Sequence, residues 1–205
     1  MRKPYIGITG FSRPEEVSVA LQTFPNNQNR KVMVGAITTW KSLRNIPMKP
    51  KWAKQTPSAE SIIHLFLKDE RVINLIHFST EEGQERSLLA DMLKIHEIAG
   101  PNFHGFQLNL AWPEIRLIDE YRMIMGYDYR IVLQIGQKAV EAVGGTPQCV
   151  VDMLYHYAGV VDDILFDLSS GLGKLFNTER AKIFLSAIAE KRWDPNFTRN
   201  LVVQE

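Results

Sequence analysis

Short apolar runs rich in β-branched residues recur along the chain. Runs of this length, apolar at successive positions, are typical of strands that are buried on both faces of a parallel sheet. The pattern predicts six strands and the beginning of a seventh. The strands are residues 5–9, 31–37, 72–77, 105–110, 130–135 and 163–167, and the seventh starts at 201–203.

Segments with apolar residues at helical spacing lie between most of these runs. The predicted helices are residues 58–67, 85–99, 113–125, 137–143, 149–157 and 178–191, the last with Thr178 as its N-cap. A strand, a helix and a parallel strand together need about 30 residues, which fits the spacing of the runs. The alternation predicts an α/β protein with a parallel sheet and helices outside it. Two closures compete, an open doubly wound sheet and a TIM-type (β/α) barrel, which has eight strands when complete.

Composition agrees with a single ordered domain over residues 1–205, since 45% of the residues are hydrophobic and 23% are charged. The formal net charge is +1, and there is no basic stripe of the kind that nucleic-acid or membrane-surface binders carry. We therefore expect neither partner. The densest basic stretch runs from Lys41 to Lys54, and Pro47, Pro50 and Trp52 interrupt it, so we interpret it as a solvated loop.

The single cysteine, Cys149, excludes an intramolecular disulfide and is compatible with a reducing compartment. No apolar stretch approaches the roughly 18 residues of a membrane-spanning helix. The expected location is the cytoplasm.

Polar residues stand at the carboxyl ends of the predicted strands, where parallel α/β folds build their functional sites. A strand that merely enters a loop also ends polar, so each residue alone carries little weight. The candidates are Thr9, Thr38, Thr39, His77, Asn109, Gln134 and Asp167.

Asp167 is the candidate catalytic residue, because a carboxylate at a partly buried strand end can act as a general acid or base. The competing interpretation is that it only caps the following loop. Gly171 and Gly173 in that loop permit close approach of a ligand phosphate.

His77 fits a functional and a structural role equally well on sequence alone. No histidines have the spacing of a metal site, so we expect no metal, and no motif implies a cofactor. Arg44 follows the second strand and has the chemistry to bind a carboxylate or a phosphate with two hydrogen bonds, although a solubilising charge is the competing interpretation.

Four segments, in order along the chain, resemble motifs of phosphoribosylanthranilate isomerase, a (β/α)8 barrel of tryptophan biosynthesis. The segments are residues 5–9, 35–44, 106–110 and 166–176. The resemblance implies an aldose-to-ketose rearrangement, with Asp167 as general acid and Arg44 as a substrate contact. The position of the family's general base, a cysteine, is held by Ile6. The family's main phosphate-binding loops follow strands seven and eight, and the sequence ends about where strand seven starts, so we expect a divergent or incomplete barrel.

Two functions remain open. The first is an isomerase-like protein acting on a small phosphorylated sugar derivative, in which Thr9, His77, Asn109 and Gln134 contact the substrate together with Gly171 and Gly173. The second is a ligand-binding or regulatory barrel without catalysis. Unpaired strand edges of an incomplete barrel favour association, so a homo-oligomer or a subunit of a larger assembly is also an expectation.

Overall fold

A computed structural model of the chain describes residues 3–24, 29–167 and 177–191, and the backbone of 200–203. Its seven strands are all parallel and form one sheet. Their bounds are β1 Tyr5–Thr9, β2 Lys31–Thr39, β3 Val72–Ser79, β4 Gly105–Leu108, β5 Arg130–Gly136, β6 Asp163–Asp167 and β7 Asn200–Val203.

Helices follow the strands along the described chain. They are α1 Pro14–Thr23, α2 Pro50–Ala53, α3 Ala59–Leu65, α4 Leu88–Ala99, α5 Ile115–Met125, α6 Gln137–Ala142, α7 Pro147–His156 and α8 Thr178–Glu190. Single turns of 3-10 helix occupy Ser42–Arg44 and Glu85–Ser87. Among the described residues, no helix combines the length and the apolar character needed to cross a bilayer.

The strand order decides between the two predicted closures. The strands lie in the order β1 to β7, so each one pairs with its neighbours in sequence. A doubly wound sheet reverses direction at a switch point, whereas a TIM-type barrel keeps winding the same way. The barrel interpretation is confirmed. A complete barrel has eight strands; the described part of this chain has seven, with no pairing between β1 and β7 in it.

The outer face of the sheet packs against the helices and forms the main core. Val34, Phe78 and Phe166 of the strands are buried there together with Met92 and Ile95 of α4. A smaller apolar cluster fills the inner face, and its members are Met33, Ile73, Leu75, Val132 and Leu165. Because both faces of β2 to β6 are buried, these strands are apolar at most successive positions.

The alternation of side chains along β1 determines which of its residues face the interior. Tyr5 packs against the inner cluster, and Thr9 lines the cavity at the carboxyl end. Ile6 and Ile8 therefore lie on the opposite, outer face, where they are 41% and 44% exposed. The residue at the family's general-base position thus points away from the barrel interior.

Gly105 begins β4 at a place where no other residue fits. Its φ is +144°, and an added Cβ would overlap the backbone of Arg130 in β5. The close approach lets β4 and β5 pair from Gly105 and Arg130 onward, which brings Gln107 opposite Val132. Gln107 then lies diagonally across from Gln134, two residues further along β5.

Several elements differ from the sequence-based predictions. Helix α1 was not predicted, because only Val17 and Leu21 of its residues are buried and the apolar pattern is weak. The N-cap of α8 is Asn177 rather than Thr178, since the Asn177 side chain accepts a hydrogen bond of 2.9 Å from the backbone N–H of Arg180.

Candidate active site

A cavity of about 560 Å³ opens at the carboxyl ends of the strands. The fold brings five of the predicted site residues to it from five different strands or strand ends, and these are Thr9, His77, Asn109, Gln134 and Asp167. The carboxyl ends of parallel strands meet at one edge of a barrel, which is why residues so far apart in sequence converge.

Hydrogen bonds between side chains connect the floor of this cavity. Gln134 donates through Nε2 to Oδ2 of Asp167 at 3.0 Å. Its Oε1 accepts a bond of 2.9 Å from Nε2 of Gln107 and lies 3.2 Å from Nε2 of His77. Gln107, Gln134 and Asp167 are all buried, so these bonds are sheltered from competing water.

The hydrogen-bonding partners of Gln134 determine the orientation of its side-chain amide. The amide NH₂ of Gln134 faces Asp167, because Oδ2 of Asp167 accepts the hydrogen bond from Nε2. The amide oxygen consequently faces Gln107 and His77. His77 then carries its proton on Nε2, where it donates to Gln134, and Nδ1 is the unprotonated nitrogen.

Burial lowers the pKa of His77, and this effect outweighs the opposing influence of its hydrogen bond to Gln134 and of the nearby Asp167. His77 is therefore a neutral imidazole at neutral pH. Its Nδ1 is buried without a hydrogen-bond partner among the residues that the structure describes. The floor thus presents one carboxylate, two amides and one neutral imidazole.

The rim of the cavity is more exposed than its floor. Asn109 lies just beyond β4 and is exposed, while its backbone N–H donates to the carbonyl of Phe78 at 2.8 Å. Thr9 is half-buried at the end of β1. Both side chains are placed to contact a ligand that enters from solvent.

Thr38 and Thr39 do not line this cavity, and Arg44 is the third predicted site residue that the structure places elsewhere. Its Nη2 forms an ion pair of 2.8 Å with Oδ1 of the buried Asp91 in α4, and its Nη1 donates to the carbonyl of Trp40 at 3.1 Å. The guanidinium also lies over the Trp40 ring, 4.4 Å from its centroid. These contacts attach the loop after β2 to α4, and Arg44 does not line the cavity. Gly171 and Gly173 lie outside the described residues.

Several cavity residues were not predicted as site residues, among them Gln107, Lys51, Trp52 and Lys138. Gln107 had a usable signal, because a lone amide between Phe106 and Leu108 in a buried strand needs a polar partner. The sequence gives no comparable signal for Lys51 and Lys138, since exposed lysines are common on protein surfaces. Within the described ranges, no group of three or more His, Cys, Asp or Glu residues is arranged to hold a metal ion.

Comparison with known proteins shows that the fold is similar to that of two solved structures. The chain is similar to the crystal structure of phosphoribosyl anthranilate isomerase from Thermus thermophilus, with a TM-score of 0.55 and 13% sequence identity over 98% of this chain and 76% of that one. It is also similar to TrpF from Jonesia denitrificans, with a TM-score of 0.52 and 15% identity over 98% of this chain and 75% of that one. No protein-family model and no curated protein sequence matches the chain. At this identity the likeness concerns the fold.

Proposed function

We propose that the protein is an isomerase that converts an aldose to a ketose in a small phosphorylated sugar derivative. The observation that carries the proposal is Asp167, a buried carboxylate at the carboxyl end of β6 that lines the cavity and accepts a hydrogen bond from Gln134. The similarity of the fold to phosphoribosyl anthranilate isomerase supports the reaction class.

The reaction neither adds nor removes atoms. Opening of the sugar ring requires a proton on the ring oxygen, and the shift of the carbonyl requires that a proton leave C2. Asp167, as the protonated acid, donates to the ring oxygen and is left as a carboxylate, which the Gln134 amide stabilises through its N–H. This carboxylate then accepts the proton that leaves C2, which restores the acid, and the hydroxyl proton of the resulting enol moves to C1 to give the ketose. The amides of Gln107 and Asn109 and the hydroxyl of Thr9 are placed at the same cavity to bind sugar hydroxyls.

The second candidate is a barrel that binds such a ligand without converting it. One observation favours it: the side chain of Ile6 lies on the outer face of β1, so this position supplies no base to the cavity. Cys149 does not line the cavity either, because it belongs to α7.

An assay of turnover combined with calorimetry distinguishes the two candidates. The purified protein is incubated with phosphoribosylanthranilate, and ketose formation is followed by absorbance while binding of ribose 5-phosphate is measured separately. Ketose formation supports the isomerase. Binding without turnover supports the non-catalytic barrel, and neither binding nor turnover contradicts both.

A further inference from the structure

The sequence indicated that the basic stretch between Lys41 and Lys54 is a solvated loop. In the structure, part of this stretch lines a cavity instead. Lys51 and Trp52 of α2 line the candidate active-site cavity. Lys49 lines an adjoining cavity of about 370 Å³, which also contains Trp52, His77 and Asn109. The two cavities therefore share walls, and α2 stands at their common mouth.

A further lysine reaches the same cavity from another element. Lys138 lies in α6, directly after β5, and lines the cavity together with Lys51. It has no carboxylate within ion-pair distance in the part of the chain that the structure describes. Lys51 and Lys138 are both exposed at this cavity.

The balance of charge around the mouth is positive. Among the residues that the structure describes, the carboxylates that line the two cavities are those of Asp167 and Glu81. Glu81 is paired with Lys41 at 3.1 Å. Three further lysines line the same cavities, Lys49, Lys51 and Lys138, so the mouth attracts anions.

Trp52 helps to hold this charge at the mouth. The Nζ of Lys51 lies 4.8 Å from the centroid of the Trp52 ring, which is within the range of a cation–π interaction. Trp52 is 38% exposed, so part of its surface remains open towards the cavity.

We infer that Lys51 and Lys138 form an anion subsite that binds the phosphate monoester of the ligand. The phosphate is held at the mouth by the two ammonium groups, and the sugar extends inward to the amides and the carboxylate of the floor. The inference deepens the proposed function, on which the placement of the sugar rests. It assigns the phosphate to α2 and α6, on the second and fifth strand–helix connections.

Calorimetry with ribose 5-phosphate and with uncharged ribose tests the subsite. Each lysine that forms a charge-assisted bond to phosphate is expected to contribute about tenfold in affinity. We expect Lys51→Gln and Lys138→Gln each to weaken ribose 5-phosphate binding by about this factor. Lys54→Gln is the matched control, because Lys54 belongs to the same basic stretch and lines neither cavity. It should bind like the unmodified protein.

Two further readouts sharpen the result. Binding of ribose 5-phosphate should weaken as salt is added, since exposed charges are screened, and ribose should bind with an affinity that neither substitution changes. Equal affinity for ribose 5-phosphate in all three variants and the unmodified protein would overturn the subsite. If binding depends on the lysines but the protein shows no turnover, only the proposed isomerase is contradicted. If the protein turns over substrate and neither Lys51→Gln nor Lys138→Gln changes KM, only the subsite is contradicted.

Discussion

The amide of Gln134 donates a hydrogen bond of 3.0 Å to the carboxylate of Asp167. This bond joins β5 to β6 at the floor of the cavity and orients the amide oxygen towards His77 and Gln107. The orientation of three neighbouring side chains thus depends on one carboxylate.

Replacement of Gln134 by glutamate tests this dependence. Gln134→Glu places a second carboxylate beside buried Asp167, and two like charges at such a distance raise a carboxyl pKa in the folded state. A folded-state pKa above the unfolded value destabilises the protein at neutral pH, and the loss diminishes as pH falls through the raised pKa. The expected loss at pH 7 is about 1.4 kcal/mol for each unit of the rise.

Urea unfolding at pH 7 and near pH 4.5 measures the effect of this substitution. The control is Gln148→Glu on the exposed face of α7. There the amide of Gln148 also donates to a carboxylate, that of Asp152, at 2.7 Å. Screening by water should make the control change stability by less than about 0.5 kcal/mol. Equal losses in the two variants would show that the floor of the cavity is not sheltered as described.

His77 provides a prediction about pH. Burial lowers its pKa below the ordinary value of about 6.5. Between the folded and unfolded pKa values the unfolded chain binds the extra proton, so stability falls as pH drops from about 7 through 6.5 and below. His77→Gln should reduce this slope. NMR titration of the imidazole should give a midpoint below 6.5, and a midpoint above that value would contradict the buried neutral state.

The buried ion pair between Arg122 and Asp162 is predicted to be important for stability. The two side chains are 3% and 10% exposed and lie 2.7 Å apart, and Arg122 also donates to the carbonyl of Val160 at 2.7 Å. Arg122→Met should cost about 3–5 kcal/mol in urea unfolding, because it leaves the buried carboxylate without its guanidinium. Arg116→Met removes the exposed pair with Glu120 and should cost less than about 1 kcal/mol. Similar costs for the two variants would contradict this assignment.

Arg44 should matter for stability rather than for ligand binding. It pairs with Asp91, which is 2% exposed and also accepts a bond of 2.7 Å from Ser87. Arg44→Met is expected to lower the free energy of unfolding by about 1–3 kcal/mol and to leave the affinity for ribose 5-phosphate unchanged. A large loss of affinity with stability intact would instead support the substrate contact that the family resemblance implies.

The strands were the most predictable part of the fold. β1 and β6 match their predicted bounds. β6 is buried at every residue, and a strand buried on both faces shows its full length as an apolar run, whereas β1 is apolar although Ile6 and Ile8 are exposed. Helix α2 was not predicted, since none of its four residues is buried and no apolar pattern marks it. Periodicity alone left two closures of the sheet open, since strand order depends on contacts between distant parts of the chain; the family resemblance favoured the barrel, which the strand order confirms.

The candidate site was predictable where a strand end determines it. Asp167 ends β6, and Gln134 and His77 lie within the last three residues of β5 and β3, so the barrel topology alone brings them together. Arg44 was placed at the site by the motif in which it occurs, but the direction of its side chain is set by Asp91, which lies 47 residues away in sequence. The outward direction of Ile6 likewise depends on the register of β1 against the inner cluster.

Turnover by the Asp167→Asn variant tests the central claim most directly. With phosphoribosylanthranilate as substrate, asparagine keeps the shape and the ligand contacts but cannot donate the proton, so kcat should fall by about 10²–10⁴ while the variant stays folded. Asp128→Asn, at an exposed position outside the cavity, should leave kcat unchanged. Undiminished turnover in Asp167→Asn would contradict the account.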